Sequence, residues 1–232
     1  MDALGPEEWQ ALALSLKVAF WATLWSLPLA LAAAYALSRG RFWGRGALNV
    51  LVHLPLVLPP VVTGYLLLLT FGRNGMVGGW LEDVFGVVFA FRWTGAALAA
   101  AVMGFPLMVR AIWLSMDAVD RRLEAASATL GAPPWRVFLT VTLPLSLPGV
   151  LAGALLAFAK AMGEFGATIT FVSNIPGETR TLPSAIYTFL QVPGAEGAVA
   201  VLVVISVLVS AVALVGAEAL SRLVARRIGM TA

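Results

Sequence analysis

Apolar runs too long to be one face of a soluble helix set the terms for this chain: residues 18–37, 48–71, 94–116, 147–172 and 198–217. Each meets or approaches the roughly 20 residues that a helix needs to cross the hydrocarbon layer of a bilayer. Lipid offers backbone N–H and C=O groups no partners, so segments of this kind are helices that satisfy those groups internally. The chain is 60% hydrophobic and 12% charged, where a soluble domain carries about a quarter charged residues. A domain of this size still exposes much of its surface, so one soluble core cannot hide that much apolar side chain. The fold class expected is an all-α integral membrane protein with about five transmembrane helices. Residues 1–232 form a single transmembrane domain, with no length to spare for a soluble one.

The start of the chain, Met1-Asp2-Ala3-Leu4-Gly5-Pro6-Glu7-Glu8, is acidic and lacks the positive region of a cleaved signal peptide. The first apolar run is therefore read as a permanent span. With no cysteine and one histidine, His53, neither a disulfide framework nor a Cys- or His-based metal site is expected.

The connecting segments differ in charge. Arg39, Arg41 and Arg45 follow the first run, Arg110 lies near one end of the third, and Arg121, Arg122 and Arg136 precede the fourth. With Arg222, Arg226 and Arg227 after the fifth, this side holds ten basic residues. The other holds four, namely Lys17, Arg73, Arg92 and Arg180. Basic residues accumulate in cytoplasmic loops, so the N-terminus is expected outside and the C-terminus in the cytoplasm. The same clustering between apolar runs explains the net charge of +3 without nucleic acid. On the outer side, residues 84–91 are apolar but too short to span, and suggest an interfacial or re-entrant helix.

The cytoplasmic segment 117–144 is the most specific. Asp117 and Asp120 suit a helix N-cap and Gly131 a helix stop, with strong helix formers between them. Pro133-Pro134 then opens a second short helix, leading to Leu143-Pro144. Small side chains at Ala125 and Ala126 permit close approach, and Leu123 and Leu130 can anchor in a partner's groove. An amphipathic helix resting on lipid headgroups is the equal alternative.

Glu124-Ala125-Ala126, four residues, Gly131, nine residues, Val141, one residue, then Leu143-Pro144 resembles the EAA motif of permease subunits from binding-protein-dependent ABC importers. Val141 stands where that pattern usually has isoleucine. Three further stretches resemble the molybdate branch of the family: His53-Leu-Pro-Leu-Val-Leu-Pro-Pro60 with Gly64; Phe105-Pro-Leu-Met-Val-Arg110; and Gly163-Glu-Phe-Gly-Ala-Thr-Ile-Thr-Phe-Val-Ser-Asn-Ile-Pro-Gly-Glu-Thr-Arg-Thr-Leu-Pro183. Sulfate permeases share part of the last. The resemblance implies the type I ABC importer permease fold, in the cytoplasmic (inner) membrane of a prokaryote. It assigns Glu124, Ala125, Ala126, Leu130, Gly131, Leu143 and Pro144 to a coupling helix seated in a cleft of a cytoplasmic ATPase. It also implies a second copy of the chain, two ATPase subunits and an extracytoplasmic oxyanion-binding protein.

Within the fourth run, Lys160 and Glu164 stand four residues apart. A charge at the bilayer centre costs about 2.5–3.5 kcal/mol on insertion scales, so both should avoid lipid, foremost as a mutual pair. Lys160 could also give a pathway a positive field, with Glu164 fixing its position. Thr168, Thr170, Ser173 and Asn174 could line an oxyanion path weakly enough to release its cargo, or could equally bond between helices and to their own backbone. Pro55, Pro59, Pro60 and Pro106 are expected to kink their spans or fit local packing. The polar segment 176–183 is a candidate receiver for the binding protein, or a plain surface turn.

The function expected from the resemblance is import of molybdate or tungstate by alternating access, driven by ATP in the partner subunit. No Gly-x-x-x-x-Gly-Lys-Ser/Thr loop is present, so ATP and magnesium belong to the partner, and no cofactor is expected here. A sulfate or thiosulfate permease is the rival within the class. An ATPase-independent anion channel would do without the EAA-like segment, and an intramembrane enzyme would need a nucleophile and base that one histidine and no cysteine do not supply.

Overall fold

The computed structural model describes residues 5–227, with side chains described through residue 216 and at residues 218 and 219. Asp2 of the acidic start and the side chains of Arg222, Arg226 and Arg227, used above for charge placement, lie outside the described set. The described chain is helical throughout, without strands.

Helix α1, Pro6–Arg39, has 34 residues and is about 51 Å long at 1.5 Å per residue, more than the bilayer's hydrocarbon thickness. Its buried positions Ser15, Val18, Ala19, Ala22, Ser26, Ala30, Ala34 and Leu37 recur at three- and four-residue steps. They are mostly small, which lets helix backbones approach where lipid supplies no hydrophobic drive for association. Against this stripe lie α5, Trp93–Asp117, and α8, Leu143–Met162. Ala96, Ala97, Ala99 and Ala100 of α5 and Ala161 of α8 fill one half of the shared core, while Met108, Val109, Ile112, Met116 and Val150 fill the other.

The second apolar run forms two helices, α2 (Arg45–Val57) and α3 (Pro60–Phe71), which meet at 115°. The single span expected there is therefore broken. Pro59 and Pro60 remove two successive backbone donors, and a residue before proline is pushed out of the helical region. Leu58 and Pro59 accordingly have extended ψ values of 143° and 134°. Among the described residues four helices are long and apolar enough to cross a membrane, and the bent pair makes a fifth crossing if counted as one.

Helix α4, Met76–Phe85, sits earlier than the helix expected over residues 84–91. Gly86, in the left-handed conformation at φ 67°, stops it. The short helices α6 (Arg121–Thr129) and α7 (Pro134–Val137) follow α5, and a widened π turn, Phe138–Thr142, joins α7 to α8. There the Leu143 N–H reaches the Phe138 carbonyl five residues back, just before Pro144, which has no N–H to give.

The fourth run is also interrupted. After α8 the chain breaks over residues 163–165 and resumes as α9, Gly166–Val172. Helix α9 packs on α3 with their backbones almost touching: a Cβ on Gly64 would lie 2.5 Å from the Ala167 carbonyl oxygen. Helix α10, Leu182–Phe189, was not anticipated from the sequence. Helix α11, Glu196–Arg227, packs on α8 and α10 and leaves Val204, Val207, Leu208, Val212 and Val215 exposed, as a lipid-facing span does.

Candidate functional site: a partner-docking surface and its anchorage

Helix α6 begins and ends where local chemistry dictates. The Asp120 carboxylate accepts from the Arg122 N–H at 2.9 Å, which caps the helix. Leu130 closes it, and Gly131 follows at φ 86°, a backbone conformation that side chains disfavour. Asp117, the other N-cap candidate, instead ends α5.

The helix has no buried residue. Ala125, Ala126 and Gly131 are exposed, Leu123 is half exposed, and Leu130 is 89% exposed. Trp135 in α7 and Leu139 in the π turn are exposed as well. A soluble surface seldom bares so many large apolar side chains together, and such patches mark interaction sites. Leu143 is half-buried and Pro144 exposed, where the segment re-enters α8.

Glu124 points the other way. Its Oε1 accepts from Arg39 Nη2 at 2.9 Å, Arg39 Nε at 3.1 Å and Thr142 Oγ1 at 2.7 Å. The Arg39 side chain is 10% exposed, and its guanidinium also donates to the Met116 carbonyl at 2.8 Å and to Ser38 Oγ at 2.9 Å. Asp117 Oδ1 lies 3.6 Å from Arg39 Nη1 and accepts a short bond from Ser38 Oγ. The ends of α1 and α5 and helix α6 thus meet on one guanidinium, and the π turn joins them through Glu124. Its planar fork of five donors suits several fixed acceptors in a way a lysine does not.

Sequence reasoning counted Arg39 only toward topology and gave Thr142 no role. The available signal was an arginine as the last residue of a long span, beside a serine, with no partner nearby in sequence.

At mid-membrane, Lys160 Nζ donates to Glu164 Oε2 at 2.7 Å, the mutual pair expected. Glu164 is buried, and its Oε1 accepts from the Ala167 N–H at 3.0 Å, so it also caps α9. Lys160 keeps partial exposure.

The four polar residues beyond them do not share one surface. Thr168 is sealed within the packing, and Thr170 donates to its own helix at the Gly166 carbonyl. Ser173 is exposed with φ 65°. Asn174 Nδ2 donates to Thr188 Oγ1 at 2.7 Å, while its Oδ1 accepts from Arg180 Nε at 3.1 Å. In this conformation Asn174 ties the outer loop to α10.

That loop is ordered by its own bonds. Thr179 Oγ1 accepts from the Ile175 N–H at 2.9 Å and donates to the Ser173 carbonyl at 3.3 Å. Glu178 accepts from the Trp93 N–H at 3.4 Å, at the start of α5.

Comparison with known proteins agrees with this architecture. Residues 26–226 match the family described as the binding-protein-dependent transport system inner membrane component. The chain is 58% identical over 222 residues to the molybdenum transport system permease protein ModB of Escherichia coli K12, covering 96% of this chain and 97% of that one. It is 54% identical over the same length to ModB of Haemophilus influenzae, with the same coverage. Among solved structures, it resembles a chain of a bacterial ABC transporter involved in import of the acidic polysaccharide alginate. The TM-score is 0.74 at 18% identity, over 94% of this chain and 80% of that one.

Proposed function

The chain belongs to the family of inner membrane components of binding-protein-dependent transport systems, and on that premise we propose that it is the permease for molybdate in an ATP-driven importer. It is a multi-pass membrane protein of the type I ABC importer permease fold, and ATP hydrolysis belongs to a separate subunit. In this reading two copies form the pathway, two cytoplasmic ATPase subunits drive it, and a binding protein delivers the oxyanion from outside. The N-terminus lies outside and the C-terminus in the cytoplasm.

The observation that carries the reading is the bared surface of α6 and α7, held to the spans by Glu124 while Leu123, Leu130 and Trp135 face outward. Such a surface fits the helix-in-groove mode of recognition, with Ala125, Ala126 and Gly131 leaving room for close approach. Binding and hydrolysis of ATP, with its magnesium, would then move the spans through this contact. The choice of oxyanion is supported by identity of 58% to a molybdenum permease.

Co-purification of the tagged chain with its ATPase, together with uptake of labelled molybdate in vesicles, tests this. The unaltered chain should retain the ATPase and import molybdate, and Gly131→Asp should release the ATPase or uncouple hydrolysis from uptake. Normal uptake without any associated ATPase would sink the importer reading. Uptake of sulfate in preference to molybdate would move the chain to the sulfate branch.

A further inference from the structure

Helix α1 is fastened at both membrane faces to segments with prospective partners. At the outer face, Ser15 Oγ accepts from the Leu182 N–H at 2.6 Å, at the first residue of α10. One turn earlier, Ala11 and Leu12 are buried against Leu182, Ala185 and Leu202. Arg180 of the outer loop donates to Glu7 at 3.1 Å and to Asn174 at 3.1 Å. At the cytoplasmic face, the last two residues of α1 hold the segment carrying the docking surface. Arg39 binds Glu124, and Ser38 and Arg39 both bind Asp117. Arg121 of α6 adds a bond to the Ser38 carbonyl at 3.4 Å.

These attachments differ in kind from ordinary packing. A charged hub with its side chain only 10% exposed, in which Arg39 donates to Glu124, Ser38 and the Met116 carbonyl while Thr142 donates to the same Glu124 oxygen, has a defined geometry and so responds to small displacements. The outer attachment sets the start of α10 directly through a backbone N–H. A helix of 34 residues, uninterrupted through Pro28, joins them and can carry displacement from one end to the other.

We propose that α1 is a strut that reports the state of the outer loop to the ATPase-docking helix, with Arg39 as the positioning residue at its inner end. The proposal rests on the importer reading given above and adds a route to it. Engagement of the outer segment 176–183 by a loaded binding protein shifts α1 through Ser15 and Arg180. The shift reaches Glu124 through Arg39, so that α6 changes its seat on the ATPase. Arg39 touches no substrate and acts only by placing Glu124.

The test uses the complete complex of this chain, its ATPase and its binding protein in lipid nanodiscs. The readout is the ratio of ATP hydrolysis with molybdate-loaded binding protein to hydrolysis without it, alongside assembly by size-exclusion chromatography. Arg39→Gln removes the charge while keeping most of the side chain. The expected result is an assembled complex whose ratio falls by at least about fivefold, the low end of ordinary allosteric coupling, with Arg39→Lys recovering part of it. An assembled Arg39→Gln complex with an unchanged ratio overturns the strut.

A second variant removes dependence on that substitution. The chain has no cysteine, so Ser38→Cys with Asp117→Cys places a single disulfide across the inner latch. Locked in this way, the complex should keep its response, because strut and docking segment move together. Loss of response on oxidation, restored by reduction, would mean that they separate during the cycle and would overturn the proposal. Failure of the unaltered chain to bind the ATPase at all defeats the importer reading itself, and is distinguished by the chromatography.

Discussion

Glu124 and Glu164 are both held by cations, and they are held in opposite ways. Glu164 takes its lysine from one helical turn earlier, and its second oxygen caps the helix that begins just after it. Both of these partners lie within four residues of it. Glu124 takes its arginine from 85 residues away and its hydroxyl from 18 residues away. The first arrangement turns the chain at a break in a span; the second joins four segments at the membrane surface. A local pair fixes the path of one segment, whereas a remote hub fixes the relation between segments, and only the hub can transmit movement among them.

The contrast can be broken most forcefully at mid-membrane. Lys160→Met leaves the Glu164 carboxylate buried with only the Ala167 N–H as partner. Removing one member of a buried pair costs about 3–5 kcal/mol, seen as a large loss of thermal stability in detergent. Adding Glu164→Gln, which can still accept from Ala167, should restore most of that loss. A Lys160→Met protein as stable as the original would show that the pair does not hold this break together.

Next comes the hub. Thr142→Val preserves shape at a buried site and deletes one bond to a carboxylate, worth about 1.5–3 kcal/mol. The loss should appear as faster hydrogen exchange in α6 while α8 keeps its protection. Equal loss of protection in both helices would mean that Glu124 supports the core rather than the docking segment.

Asp120→Ala then tests the cap of α6 alone, at about 1 kcal/mol. It should accelerate exchange at the first turn of α6 without altering exchange at the end of α1. The smallest effect belongs to the exposed pair at the outer face. Glu7→Gln should change stability by about 0.2–1 kcal/mol, with the difference shrinking in high salt. A salt-independent change would point to packing rather than charge.

What could be read from the sequence follows the same division between local and remote. The spanning helices declare themselves by hydropathy, because lipid demands long apolar runs wherever they stand. Asp120, Gly131 and Pro134 mark the helix boundaries of segment 117–144 because caps and stops depend on near neighbours. The Lys160–Glu164 pair was visible for the same reason.

The breaks were harder to see. Pro59-Pro60 signals a kink but not an angle of 115°. The interruption at residues 163–165 sits inside a run that stays apolar on both sides, so hydropathy passes straight through it. Helix α10 is too short to announce itself, and its first N–H is met by Ser15 from a distant helix. Arg39 looked like one more loop cation, since nothing within several residues of it says that Glu124 and Thr142 come to meet it. Among the proposed pathway residues, Asn174 proved to be a tether between loop and helix, a role set by Thr188 and Arg180 on either side.

The bareness of Leu130 and Trp135 has a consequence for how the protein is made. A copy synthesised without a partner would leave these side chains bare, and exposed apolar surface invites aggregation and degradation. The cellular level of the chain should then follow subunit supply rather than its own rate of synthesis. Pulse-chase lifetimes measured with and without the ATPase gene would read this directly: a copy number matched to the partner's by selective survival, or an orphan that persists unaided.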